Sequence, residues 1–136
     1  MTWTSPFVLV GGFGPIVASN AFLAVHPDIV KAFIAASLKG WYAAIDNNAA
    51  ALAAMKKVFP DADATLAPGQ LDATEVLMCA NGAKFVGKAA PDRWENTVKI
   101  LAAIGSLPAD KPATDYYSLA YVPDEKDLRA CPIPIG

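Results

Sequence analysis

Apolar residues recur at steps of three to four most clearly in residues 26–45, and this spacing predicts one long amphipathic helix. Pro27 suits the first helical position, because its missing N–H would have no partner there. Asp28 then places a carboxylate at the positive end of the helix dipole. Lys31 and Lys39 mark the polar side, and the apolar residues gather on the other side at Ile29, Val30, Phe33, Ile34, Trp41 and Ile45. Such a wide apolar side needs a substantial partner surface.

Three more helices are predicted further along the chain. Residues 49–59 have apolar positions at helical spacing and stop at Pro60. Residues 71–80 have the same character. A fourth helix opens at residues 90–94, and Gly105 fits its C-terminal cap. With one or two short N-terminal strands, the predicted fold class is mainly α, with about four helices.

Two short apolar runs near the N-terminus, residues 7–10 and 16–18, predict strands. The intervening Gly12-Phe13-Gly14-Pro15 allows three interpretations: a turn between the strands, a backbone loop that lines a ligand, or a dinucleotide-binding loop. The last fits least well, because Val17 stands where a third glycine would allow close helix packing. No acidic residue ends a clear second strand about 20 residues further on, as that motif also requires.

Composition excludes several classes of partner. The chain has 136 residues, enough for one domain with a real core. Its net charge of −2 and the absence of a basic stripe disfavour nucleic-acid binding. Apolar runs such as residues 100–104 fall far short of the roughly 20 residues that a membrane span needs.

Few residues suit catalysis, metal binding or a cofactor. The only cysteines are Cys79 and Cys131, and two cysteines with one histidine do not make a tetrahedral zinc site. Cys79 lies in a helical pattern and is interpreted as a buried, reduced thiol, unless the tail folds back and pairs Cys131 with it. His26 is interpreted as a neighbour of a helix cap rather than a general base. We therefore expect no enzyme activity, no metal and no cofactor.

Several short motifs, in order, resemble the substrate-binding proteins of ABC importers, of the nitrate/sulfonate/taurine and thiamine-pyrimidine-precursor type. The resemblance covers roughly residues 16–122. Its motifs are Ser19 with Phe22-Leu23, His26-Pro27-Asp28, Gly40-Trp41, Phe59-Pro60, Trp94, Ile104-Gly105 and Tyr116-Tyr117.

The resemblance implies a partial α/β unit of the type II periplasmic-binding-protein kind, without the N-terminal strands of its first lobe. Residues 1–122 would form the domain and residues 123–136 a proline-rich tail. The implied function is non-catalytic binding of a small molecule: a small anion, a sulfonate or a pyrimidine precursor. Ligand contacts are expected at Gly12, Phe13, Gly14, Tyr116 and Tyr117.

Helices that evolved to cover a missing sheet would expose apolar surface, and such surface seeks partners. We therefore expect a homo-oligomer, a two-fold dimer first of all, or a companion N-terminal lobe. The alternative is an interaction or structural protein that uses the helical scaffold for self-assembly. As a fragment of the resembled family the chain would be periplasmic or otherwise extracytoplasmic. With Met1 as the natural start it would be cytoplasmic, because residues 1–6 lack the features of a secretory signal.

Overall fold

The computed structural model of the chain describes residues 7–9, 15–79, 83–88 and 91–131. This part of the chain is mainly helical, which confirms the predicted fold class. Its α-helices are α1 (Asn20–Val25), α2 (Pro27–Asp46), α3 (Asn48–Val58), α4 (Ala67–Met78) and α5 (Pro91–Ala103). Its strands are β1 (Phe7–Leu9), β2 (Pro15–Val17) and β3 (Tyr117–Ser118).

All four predicted helices are present, as α2 to α5. Proline and glycine residues at the helix ends account for most of their bounds. Gly105, for example, follows α5 with a positive φ of 74°, the left-handed conformation that glycine adopts without steric cost. The exception is α4, which begins four residues before the predicted Leu71, at Ala67. Pro68 occupies its first turn, where proline is tolerated because no N–H is needed.

The short helix α1 was not predicted. Ser19 caps it, since the Ser19 hydroxyl accepts a hydrogen bond from the Phe22 N–H at 3.2 Å. At its other end the chain turns at His26, and Pro27 then starts α2. With six residues, α1 is too short for apolar periodicity to reveal it.

The three strands form one small sheet in the order β2-β1-β3. β1 and β2 are antiparallel, with Leu9 opposite Pro15, whereas β1 and β3 are parallel. The glycine-rich residues 11–14 lie outside the described residues. Because a second strand follows them, and not a helix, the strand–loop–helix order of a dinucleotide-binding motif is not met by β1, β2 and α1.

The main core lies under α2. Val30, Ile34 and Leu38 point inwards and pack with Leu23 of α1 and with Leu128 of residues 119–131, which we call the C-terminal segment. Ile34 is completely buried. The prediction that the apolar residues of α2 share one side was wrong in one respect. Ile29 and Phe33 lie on an exposed face and not with the buried residues.

A second core cluster joins α4 to the C-terminal segment through a disulfide between Cys79 and Cys131, whose Cα atoms are 5.6 Å apart. The interpretation of Cys79 as a reduced thiol was therefore wrong. The chain folds back so that the Cys131 N–H donates to the Lys84 carbonyl at 2.9 Å and the Val86 N–H donates to the Arg129 carbonyl. The boundary after residue 122 stays a prediction.

Candidate functional site

An apolar groove of about 410 Å³ runs between β2, α1 and the first half of α2. We refer to it as the apolar groove. It is lined by Ile16, Val17, Ala18, Ser19, Phe22, Ile29, Val30 and Phe33. Seven of these eight residues are apolar, so the groove suits an apolar surface better than a charged ligand.

Large side chains of the apolar groove remain open to solvent. Phe33 is 58% exposed, Ile29 55%, Val17 53% and Phe22 42%. Val25, one turn after Phe22 on α1, is 70% exposed. Single exposed apolar residues are ordinary on protein surfaces, but several large ones that line one groove are typical of an interaction surface.

The local sequence explains how the apolar groove is built. The Ser19 cap fixes the start of α1 directly after β2, and the break at His26 and Pro27 sets α1 against the start of α2. The His26 ring packs against the Phe22 ring with 5.0 Å between ring centroids. The position of Phe22 at the rim therefore depends on this short helix.

The predicted ligand residues fall in two places. Gly12, Phe13 and Gly14 lie outside the described residues. Tyr117 lies in β3, where its ring stacks on that of Trp94 of α5 with 5.4 Å between centroids. Tyr116 directly precedes β3 and is half-buried.

Tyr117 also lines a second groove of about 410 Å³, which we call the lysine groove. Two lysines and one glutamate give this groove a mixed charge. It is lined by Glu95, Val98, Lys99, Ala102, Ala109, Lys111, Pro112, Ala113, Thr114 and Tyr117. Lys99, Lys111 and the Thr114 hydroxyl can donate hydrogen bonds, so an anionic group suits it.

The sheet register places Tyr117 beside the start of β1. Tyr117 pairs with Phe7, the first residue of β1, and residues 11–14 follow the last, Leu9. Because β1 and β3 are parallel, Tyr117 lies at the end where β1 begins. The predicted ligand site, of which Gly12, Phe13 and Gly14 lie outside the described residues, stays a prediction.

The described ion pairs lie on the outer surface and hold the C-terminal segment. The Lys88 ammonium donates to the Glu125 carboxylate at 2.6 Å, and this hydrogen bond, with the lysine charge, holds the pKa of Glu125 below its ordinary 4.5. Arg129 pairs with Asp46 at 2.6 Å. These groups stabilise the fold and face neither groove.

A third carboxylate, Asp63, organises the connection before α4. The Thr65 hydroxyl donates to it at 2.6 Å, and the backbone N–H groups of Thr65 and Leu66 also donate. These bonds, the hydroxyl first, hold the pKa of Asp63 below its ordinary 3.8. Such a turn is a structural use of aspartate.

Within the described residues, no three His, Cys, Asp or Glu side chains come together in a way that would hold a metal ion. None of the helices that the structure describes combines the length and the hydrophobicity needed to cross a bilayer.

One comparison with known proteins gives a match. The family model described as NMT1/THI5 like matches residues 14–51 of the 136, a little over a quarter of the chain. The match agrees with the resemblance to solute-binding proteins over this stretch. No curated protein and no solved structure matches the chain.

The matched stretch contains every residue that lines the apolar groove. Ser19, Phe22 and His26-Pro27 were recognised from the sequence as parts of a family motif. That they help to build a groove was not predicted. The signal for α1 was the pairing of a capping serine with a proline eight residues later. That spacing leaves room for one short helix between two stops.

Proposed function

We propose that the chain is a non-catalytic, solute-binding-protein-like module related to ABC-importer receptors for small anions, sulfonates or pyrimidine precursors. The observation that carries this proposal is the NMT1/THI5-like match to residues 14–51, which coincides with the apolar groove. The match overlaps the stretch in which the sequence motifs resemble these receptors.

The proposed ligand contacts are Tyr116 and Tyr117, together with the glycine-rich loop that contains Gly12, Phe13 and Gly14. Support comes from the lysine groove, where Tyr117 lies beside Lys99 and Lys111. An aromatic ring and two ammonium groups suit a small anion with an apolar or planar body.

An extracytoplasmic location is part of the proposal. The Cys79–Cys131 disulfide supports it, because disulfides persist in oxidising compartments and are rare in the cytosol. The proposal also calls for a second surface, either another copy or a companion N-terminal lobe, to cover the exposed apolar residues around Phe33.

Thermal unfolding with candidate ligands tests the binding role. Taurine, nitrate and an aminopyrimidine would each be added up to millimolar concentration. A ligand present at 100 times its Kd stabilises by about 2.7 kcal/mol, which raises Tm by roughly 5–10 °C for a chain of this size.

Two variants locate the ligand. Tyr117→Ala should abolish the shift in Tm, while Phe59→Ala should retain it, because Phe59 is an exposed aromatic residue at the end of α3 and lines neither groove. If none of the three ligands shifts the Tm of the wild type, the binding role is refuted for these classes.

The alternative function is self-assembly of the helical scaffold without a transported ligand. The observation that favours it is the apolar character of the groove, which fits a protein surface well. A chain that forms a stable oligomer and responds to none of the three ligands would support this alternative.

A further inference from the structure

The face of α2 that points away from the core is also apolar. Its residues follow alternate steps of four and three, so they lie on one stripe along the helix. They are Ile29, Phe33, Ala36, Gly40 and Ala43, and all five are exposed. This outer face lies opposite the buried residues Ile34 and Leu38. A helix that is apolar on two opposite faces is normally covered on both.

Gly40 is a residue of this outer face whose missing side chain is not explained by packing within the described part of the chain. It lies in the interior of a 20-residue helix, where glycine is less favourable than alanine. Among the residues that the structure describes, a Cβ atom added at Gly40 would meet no heavy atom within 4 Å, so none of them requires the glycine. A missing side chain at such a position is useful when another backbone or a large side chain approaches closely.

The sizes along the outer face are self-complementary. The large Ile29 and Phe33 occupy its first half, and the small Gly40 and Ala43 occupy its second half. Along the sequence, the midpoint between Phe33 and Gly40 falls just after Ala36. The midpoint between Ile29 and Ala43 is Ala36 itself. An antiparallel pair of these helices, centred near Ala36, therefore sets large residues against small ones.

We propose that α2 packs antiparallel against α2 of a second copy of this chain, about a two-fold axis near Ala36. Phe33 of each copy then lies over Gly40 of the other, and Ile29 lies over Ala43. The inference deepens the part of the proposed function that calls for a second surface, and it does not depend on the ligand.

The exposed area suits a dimer. Val17, Phe22, Ile29 and Phe33, which line the apolar groove, together leave roughly 400 Å² of surface open. A standard interface buries about 800 Å² per partner, of which a little over half is apolar. The apolar groove shares Ile29 and Phe33 with the outer face, so the groove and the exposed Ala36, Gly40 and Ala43 together supply about the apolar area that a stable dimer needs.

Light scattering after size-exclusion chromatography tests the proposal. At micromolar concentration we expect the full chain to have twice the 14.2 kDa mass of one copy. Gly40→Leu should weaken the dimer by about 100-fold or more, because the added side chain meets Phe33 at two symmetric places. Within one copy the same change is tolerated, because space around Gly40 is open.

Gly69→Leu is the matched control. Gly69 is likewise exposed, helical and without a heavy atom within 4 Å of an added Cβ, but it lies in α4. The control variant should remain a dimer. Circular dichroism of both variants shows whether they keep the helical content of the wild type.

A cysteine at the axis tests the geometry. In protein purified with its Cys79–Cys131 disulfide intact, Ala36→Cys should form a covalent dimer on mild oxidation. Ala54→Cys, at an exposed position on α3, should not.

Three results would overturn the proposal. They are a wild-type chain that is monomeric at micromolar concentration, a dimer that survives Gly40→Leu, and a folded Ala36→Cys variant that is no more readily cross-linked than Ala54→Cys. A monomer that instead binds a companion N-terminal lobe would assign the outer face to that partner. The dimer is tested by its mass in light scattering and the binding role by a shift in Tm with ligand. Failure of the one is therefore distinguishable from failure of the other.

Discussion

Arg129 attaches the C-terminal segment to the end of α2 through both its backbone and its side chain. Its N–H donates to the Tyr42 hydroxyl at 3.2 Å, and its guanidinium donates to the Tyr42 carbonyl at 3.4 Å and to Asp46 at 2.6 Å. The Arg129 side chain is about one-third exposed and that of Asp46 about two-thirds, so solvent screens the pair.

We expect Arg129→Ala to lower the free energy of unfolding by about 0.5–1 kcal/mol, because it removes a screened ion pair and a side-chain hydrogen bond. Urea denaturation measures this. Lys126→Ala serves as the control, since Lys126 and Asp124 are 3.9 Å apart and both well exposed. An equal loss in both variants would show that Arg129 has no special role.

Lys88 sets the ionisation of Glu125, and its removal has a predictable sign. In Lys88→Met the carboxylate loses its hydrogen-bond donor first and its nearest positive charge second, so the pKa of Glu125 should rise towards 4.5. Carboxyl NMR titration measures the change. The pKa of Asp63, which depends on Thr65, should stay where it is and provides the internal control.

The same pKa values predict how stability depends on pH. Glu125 and Asp63 both have a lower pKa in the folded chain than in the unfolded chain. Their contribution is therefore present above their ordinary values of 4.5 and 3.8 and is lost as the pH falls through the lowered folded values. In Lys88→Met the part of the stability loss at low pH that is due to Glu125 should disappear.

Single residues were the hardest level to predict from the sequence. Helical spacing placed Ile29 and Ile34 on one side of α2, although the structure buries Ile34 and exposes Ile29. A pattern gives the period of a helix, but which of two apolar faces turns inwards depends on contacts distant in the chain, such as Leu128. Cys79 was misinterpreted for the same reason, because its partner is 52 residues away.

At the level of elements, local signals were sufficient where they were strong. Pro27, Pro60 and Gly105 mark helix ends by backbone chemistry alone, and the helices beside them were found. The two-residue strand β3 has no such signal, since it exists only through its pairing with β1. The predicted strands of residues 7–10 and 16–18 correspond to β1 and β2 within one residue.

The disulfide links the end of α4 to the C-terminal segment. Replacing both Cys79 and Cys131 by serine should lower the free energy of unfolding by about 2–4 kcal/mol, because the unfolded chain regains the freedom of a long loop. Thermal unfolding with and without reductant measures the effect. The double variant should be insensitive to reductant, and a wild type that is equally insensitive would contradict the disulfide.

For the whole molecule, the outer face of α2 predicts that stability depends on protein concentration. If two copies associate in the folded state only, the Tm of the wild type should rise as the concentration is raised about 100-fold, and that of Gly40→Leu should not. Scanning calorimetry measures both. A Tm independent of concentration would refute a folded dimer that dissociates on unfolding.

The candidate site was predicted only in part. The motif at Ser19, Phe22 and His26 marked the stretch that forms the apolar groove, because caps and proline stops can be recognised from short sequences. The placement of Tyr117 against Trp94 and beside two lysines needed the pairing of β3 with β1, which no local pattern supplies.

The bond between Cys79 and Cys131 also makes a covalent ring that includes α5 and the exposed connection after Gly105. A protease that cuts the backbone once between residues 105 and 111 opens the ring without releasing a fragment. The nicked molecule keeps its full mass on a gel run without reductant and separates into two pieces once thiol is added. Damage at this surface therefore stays hidden for as long as the surroundings remain oxidising.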